Sequence, residues 1–515
     1  MSSQESSRPS RRAVAGGLAV AGLVSGGWAS APGEGPRLGP AKPFSFVALM
    51  DAARRRARSL YVPVRPRADV QNLDYDAINA IRYRPQAAVW RDRRDQAVEF
   101  FHIGRYAPTP VRVSLVDGGR AREVIYDKAL FDIPPGNPAA RLPNDLGFAG
   151  FRVMNATAAG DWLAWLGASY FRAATPFNQY GLSARGIAID TASPTPEEFP
   201  AFTAFWLSHD SDGNLAVLAL LEGPSLVGAY RFACRKGAAG LVQTVEAELT
   251  FRRVVQRLGI APLTSMYWYG ASDRPDGADW RPQIHDSDGL AIWTGAGERI
   301  WRPLNNPSRV MANAFLDTNP RGYGLMQRDR VFDDYQDDGA FYDRRPSAWV
   351  EPLGDWGAGS VQLVEIPTAG ESDDNIVAFW SPVPPPAAGQ TIGVAYRLHW
   401  SDEEPTAAGA AKVVATRVGA AGRPGQPSVA GARKFVVDFA GGRLAALTRA
   451  SGVEASVTLS RGSPGNLAAY PIEGTPRWRL IFDAPLFKGD TLDLRAFLRL
   501  NGEALTETWI AQAFG

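Results

Sequence analysis

The sequence predicts a mainly all-β protein, and three observations carry that expectation. Glycine (52) and proline (39) are abundant in the 515 residues, and charged residues make up only 21%. Sustained helical periodicity is scarce, while apolar runs of about five to eight residues recur between turn signals. A chain this long exceeds what one core usually holds, so two folded units are expected. The formal charge of +2 comes from residues 1–31, where Arg8, Arg11 and Arg12 outnumber Glu5 and leave the remainder balanced. Without a basic patch, neither nucleic acid nor an anionic membrane is an expected partner.

Residues 1–31 read as a targeting segment. Ser10-Arg11-Arg12 precede AVAGGLAVAGLVSGGWA, a run too short and glycine-rich for a membrane span. Paired arginines before a mild hydrophobic stretch point to twin-arginine export to the periplasm, with cleavage after Ala29 the better fit. Cys234 is the single cysteine, so no internal disulfide is expected and packing is its natural role.

Past a Pro/Gly-rich leader, Phe44 to Tyr61 carries Phe46, Val47, Met50, Ala53 and Leu60 on a helical period and predicts one amphipathic helix. A second short helix is expected around Tyr75 to Ile81. From Ala87 the pattern becomes strands and turns, as in VRVSLVDGG, LAVLALLEGP and GAYRFACRKG. DWLAWLGASYF reads as a helix leading into an aromatic strand, although period alone does not assign a buried run. Val245 to Phe251 alternates apolar and polar residues, as a strand with one buried face does. TIGVAYRLHW closes a large unit over 44–400. A proline-containing linker follows, and the short alternating strands of 408–515 suit an immunoglobulin-like sandwich.

The stretch Tyr335 to Asn375 crowds Asp337, Asp338, Asp343, Glu351, Asp355, Glu365, Glu371, Asp373 and Asp374 among Tyr335, Tyr342, Trp349 and Trp356. Aromatic faces stack on sugars while acids bind hydroxyls and move protons, which is the equipment of a polysaccharide-cleaving groove. An acid-rich loop region fits plain solvated surface equally well. The four histidines, His102, His209, His285 and His399, are isolated in sequence and lack cysteine partners, which argues against zinc; no metal or cofactor is expected.

Eleven segments between Asp145 and Trp509, among them DLGFAGFR, QYGLSARGIAIDT, LGIAPLTSMY, QIHDSD, NPRGYGLMQRDR, RPSAWVEP, DDNIVAFW and TETW, carry in matching order a resemblance that runs from about Phe44 to the C-terminus. Through them the chain resembles the periplasmic glucan biosynthesis family MdoG/OpgG, and its twin-arginine leader resembles the OpgD branch. The resemblance implies a large galactose-mutarotase-like β-sandwich followed by a small immunoglobulin-like domain, and a periplasmic role in osmoregulated glucans with a β-1,2-linked backbone. It implies inverting cleavage within β-1,2-glucan, or transfer of the glucan chain, with the Asp of the D-N-I motif, Asp374, as acid and the Asp of I-H-D, Asp286, as base. A membrane glucan synthase is a further partner to consider; the oligomeric state is left open.

Elementary chemistry bears on these assignments. An inverting pair holds its carboxyls about 6.5–9.5 Å apart. Asp374 follows Asp373 and stands three residues after Glu371, like charges that favour the protonated form an acid needs; an Asp-Asn turn cap is the alternative. IHDSDG reads either as strand, with Asp286 and Asp288 on one face and His285 on the other, or as a turn with Asx-type bonds. His285 is then structural first and a sugar contact second. Tyr342, Trp349 and Tyr335 are the stacking candidates, and Arg345 the one for hydroxyls or for holding a carboxylate; Glu371 joins the binding set, and Arg302 and Asn305 are weaker members. Core packing is the alternative for the rings, strongest for Trp349. Two functional classes remain, a β-1,2-glucan-cleaving or transferring enzyme and a non-catalytic factor that guides the growing glucan. The presence of both Asp286 and Asp374 favours the enzyme.

Overall fold

The computed structural model describes residues 35–515 except 157–159, 276, 278, 406–408, 424 and 428. The expected export segment, 1–31, lies outside the described residues. The protein is mainly all-β, with a few short helices. By compactness it divides into one unit of Met1–Pro262, Ser372–Asp374 and Phe379–Leu398, and a second of Leu263–Glu371, Asn375–Ala378 and His399–Gly515. Residues 408–515 therefore fall within the second unit. Among the described residues no helix is long and apolar enough to cross a membrane.

In the first unit, one sheet orders the strands Lys42–Pro43, Arg120–Glu123, Arg112–Asp117, Ala201–His209, Leu215–Glu222, Leu226–Gly237 and Gly240–Phe251. The VRVSLVDGG segment makes a two-residue hairpin here: Asp117 pairs with Arg120 across Gly118 and Gly119, whose φ of 52° and 71° suit glycine. A second sheet sets Ser183–Arg185, Tyr170–Ala173, Asp161–Leu166, Phe148–Met154 and Val98–His102 side by side. The two sheets face each other through aromatic side chains. Phe151 meets Phe205 at 5.1 Å between ring centroids, and Trp165 meets Phe232 at 5.7 Å. This is a β-sandwich with an aromatic core.

Two local expectations change. DWLAWLGASYF is no helix but the hairpin Asp161–Leu166 and Tyr170–Ala173, with Leu163 opposite Ala173 and Trp165 opposite Phe171. The first strand is buried on both faces and so lacks the alternation that marks a half-buried strand. The first helix is Phe46–Ala57, shorter than expected, capped by Ser45, whose hydroxyl accepts from the Ala48 amide at 3.1 Å. Its buried stripe is Leu49 and Ala53, set on Ala204, Leu218, Leu220, Val227 and Ala229, while Val47 is 63% and Leu60 94% exposed. Val47 is one residue from Phe46 and so turns about 100° off the stripe; Leu60 lies past the helix end.

In the second unit, the strands Ser347–Pro352, Gly322–Met326, Gly289–Trp293, Arg299–Pro303, Thr508–Phe514, Thr491–Leu500 and Glu454–Leu459 form one sheet, Arg299–Pro303 running parallel to Thr508–Phe514. Lys412–Ala420, Ala432–Ala440, Arg477–Pro485 and Gly465–Pro471 form another. Phe435 and Phe482 of this four-stranded sheet pack on Trp509 at 6.1 and 6.3 Å, giving a second sandwich core.

Candidate functional site

Two short strands in the second unit set the frame. Tyr267–Tyr269 pairs with Ile284–His285, and Tyr267 stands opposite His285. Beyond His285 the chain bends: the Asp286 amide donates to the Met266 carbonyl at 2.8 Å and the Asp288 amide to that of Met326 at 2.9 Å, before the strand Gly289–Trp293 begins. IHDSDG is therefore strand through His285 and bend beyond it, so each of the two local readings describes half of the segment.

Asp286 is 1% exposed, and the Nε of Arg345 stands 3.6 Å from its Oδ1. The guanidinium of Arg345 also lies 4.9 Å from the centroid of the Tyr342 ring. Tyr342 donates its hydroxyl to Glu371 Oε2 at 2.5 Å. Glu371 in turn accepts from Arg281 at 3.0 and 3.2 Å, and Arg281 also donates to Asp337 at 2.6 Å and to Asp279 at 2.9 and 3.1 Å. One connected polar set thus joins Asp286, Arg345, Tyr342, Glu371 and Arg281. Charged donors and acceptors paired this densely hold each other's geometry.

His285 and Tyr335 pack against this set, the Tyr335 ring 6.4 Å from that of Tyr342. The Gln327 side-chain amide donates to the carbonyls of His285 and Tyr342 at 3.1 and 2.9 Å, which turns its oxygen to His285 Nδ1 at 3.0 Å. The other ring nitrogen, Nε2, also faces an amide oxygen, that of Gln283 at 3.2 Å, so the neutral ring, which donates from one nitrogen, serves one of the two. Burial lowers the imidazole to about 4, against Gln327 and the Asp286 charge, which favour the cation. His285 stacks on Tyr267 at 5.5 Å and meets the edge of Tyr335 at 5.3 Å. Tyr335 is fully enclosed and donates its hydroxyl to the Asp329 carbonyl at 3.1 Å.

The ring candidates are all enclosed. Tyr335, Tyr342 and Trp349 are buried, so each takes the packing position that was weighed beside sugar stacking. Trp349 belongs to a different cluster, with Trp301, Met326, Phe435 and Trp509. It lies over Gly322, where an added Cβ would come within 2.4 Å of the indole. Arg302 and Asn305 are held elsewhere too: Arg302 pairs at 2.9 Å with the buried Glu365, whose other oxygen accepts from the Asn305 amide at 2.8 Å.

Asp374 is 8% exposed and lies in the first unit. Its neighbour Asn375 anchors the backbone of the second. The Asn375 side chain donates to the carbonyls of Tyr267 and Ile366, both at 2.9 Å, and accepts from the Tyr267 amide at 2.8 Å. Within the first unit the Asp374 charge acts on Arg185: burial pulls that guanidinium's pKa down, Tyr170, Glu197 and Asp374 push it up, and the net direction is up. Arg185 also pairs with Glu197 at 2.7 Å. Counting charges along the chain misses such partners, because Glu371 is neutralised by Arg281 and Arg185 is distant in sequence.

Arg281, Gln327 and Asp288 were not among the sequence candidates. Asp288 accepts from the amides of Arg328 and Asp329, both at 2.9 Å, and burial raises its carboxyl to about 6. The only sequence signal for these residues is their place within QIHDSD and NPRGYGLMQRDR or beside them, since their roles arise from partners 40 to 90 positions away. Among the described residues no group of three or more His, Cys, Asp or Glu side chains is arranged to hold a metal ion.

Comparison with known proteins adds independent findings. Glucans biosynthesis protein D 2 of Ralstonia nicotianae is 47% identical over 494 residues, covering 92% of each chain. Glucans biosynthesis protein D of Stenotrophomonas maltophilia is 48% identical over 490 residues, covering 92% of this chain and 91% of the relative. The protein of the same name from Xanthomonas campestris is 47% identical over 488 residues with the same coverage. Among solved structures, the galactosidase domain of an alpha-galactosidase-sucrose kinase aligns at TM-score 0.25 and 9% identity over 42% of this chain and 30% of the other. A polysaccharide lyase aligns at TM-score 0.23 and 10% identity over 71% and 44%. Likeness that low carries no structural weight. The family model described as "Periplasmic glucan biosynthesis protein, MdoG" matches residues 44–513, and with relatives near half identity over nine-tenths of the chain, this protein belongs to the MdoG family of periplasmic glucan biosynthesis proteins.

Proposed function

We propose that this protein acts on the β-1,2-linked backbone of a periplasmic glucan, as an inverting endo-glucanase or as a transglycosylase, with Asp374 as general acid and Asp286 as general base. The observation that carries the reading is the setting of Asp286, a buried carboxylate beside the Arg345 guanidinium at 3.6 Å and fixed through its own amide to Met266. A base must present a lone pair in a defined direction, which a fixed backbone and a neighbouring guanidinium provide. Arg345 and Tyr342 are positioned by the same polar set and belong to the site in this proposal. His285 and Tyr335 pack against that set, and Trp349 sits in a separate core cluster.

Export through a twin-arginine leader over 1–31, a glucan-active domain over 44–400 and an immunoglobulin-like domain over 408–515 complete the proposal. Incubation of the mature protein and its Asp374→Asn variant with linear β-1,2-glucan, resolved by product mass and reducing ends, tests it. New reducing ends that vanish in the variant identify hydrolysis. Changed chain lengths without new reducing ends, again absent from the variant, identify transfer. Glucan that is bound and left intact identifies the non-catalytic guiding factor instead.

A further inference from the structure

Six aromatic residues crowd the sequence between Tyr267 and Trp301, and the proposed chemistry uses none of them. Tyr267, Tyr269 and Trp301 are buried, and Trp268 and Trp293 are half-buried, Trp293 beneath the Arg299 guanidinium at 3.6 Å. Trp280 differs. It is 69% exposed, and among the described residues no other tryptophan is classed as exposed. An exposed indole is not by itself a site; its neighbours make the case here.

Both residues flanking Trp280 are pinned. Arg281 bonds Asp279, Asp337 and Glu371 through its guanidinium, its amide donates to Asp279 Oδ1 at 3.0 Å, and its carbonyl accepts from the Tyr269 hydroxyl at 3.0 Å. The Asp279 carbonyl accepts from Arg274 at 2.7 Å. The backbone is held on either side while the ring is left open to solvent. Two of the carboxylates bound to Arg281 are partly exposed: the side chains of Asp279 and Glu371 are 26% and 37% exposed, against 7% for Asp337. An exposed flat ring next in the chain to Asp279, and to the Arg281 that binds Asp279 and Glu371, suits a glucosyl unit, whose C–H face stacks on aromatic rings and whose hydroxyls donate to carboxylates. Burying such a ring in the free protein would remove the platform, and immobilising its backbone lowers the entropy cost of binding.

We propose that Trp280 is a carbohydrate platform, stacking on one glucosyl unit of a β-1,2-glucan chain whose hydroxyls reach Asp279 and Glu371. This rests on the reading of the protein as one that engages β-1,2-glucan. Iodide quenching of indole fluorescence, with and without linear β-1,2-glucan, tests it together with glucan affinity of Trp280→Ala and Trp280→Phe. Glucan is expected to protect the wild type from iodide, and Trp280→Phe to lose that quenchable component. Trp280→Ala is expected to bind about tenfold more weakly, with Trp280→Phe recovering most of the loss. Wild-type affinity in Trp280→Ala, or unchanged iodide quenching in a wild type that does bind glucan, overturns the platform alone. A wild type that binds no linear β-1,2-glucan overturns the underlying reading and the platform with it.

Discussion

Arg345 Nε stands 3.6 Å from Asp286 Oδ1, and the two side chains are 15% and 1% exposed. A guanidinium beside so enclosed a carboxylate offsets part of the cost of burying it. Replacing Arg345 by Met removes that cation from beside Asp286, with an expected stability loss of about 3 kcal/mol. Denaturant unfolding of the variant measures it. Asp286→Asn removes the charge that Arg345 faces, and in the Arg345→Met background it is expected to restore most of the loss.

Asn375 ties three backbone groups with one side chain, the amide and carbonyl of Tyr267 and the carbonyl of Ile366. Asn375→Ala leaves all three buried without that partner, and an expected loss of about 3 kcal/mol follows. Asn375→Asp is no rescue, since its carboxylate still accepts from the Tyr267 amide but repels the two carbonyls. Equilibrium unfolding of both variants should show each well below wild type.

His285 and Asp288 contribute to pH-dependent stability with opposite signs. Burial raises Asp288 to about 6, so the folded state holds a proton that the unfolded chain has lost, and stability falls as pH rises from about 4 to about 6. Burial lowers His285 to about 4, so the unfolded chain takes the proton first, and stability falls as pH drops from about 6.5 to about 4. Each contribution amounts to about 3 kcal/mol, and in the wild type they largely cancel. Asp288→Asn removes one and retains an oxygen for the amides of Arg328 and Asp329. On going from pH 7 to pH 4 the variant is expected to lose about 3 kcal/mol more than the wild type in denaturant titrations at the two pH values.

Strands with one wet face, such as Gly240–Phe251, are legible in the sequence because their alternation records burial directly. Asp161–Leu166 is not, because burial on both faces erases that record. Within the acid-rich stretch Tyr342, Arg345 and Glu371 converge with Asp286. Their order of importance was hidden. Arg281 is unremarkable in DWRPQIHD, yet it gathers three carboxylates, two of them from segments 56 and 90 positions away. Exposure was legible in part: Trp349, in the alternating AWVEP, is enclosed as its packing alternative expects, whereas nothing in DWRPQ marks Trp280 as open.

The most direct test of the central claim is glucan turnover and glucan affinity measured on the same preparations of wild type, Asp286→Asn and Asp374→Asn. If the two carboxyls move the protons, each variant loses turnover by about a hundredfold or more while its affinity for linear β-1,2-glucan stays within about threefold of wild type. Turnover surviving in either variant, or a wild type that binds the glucan without cleaving or transferring it, contradicts the account.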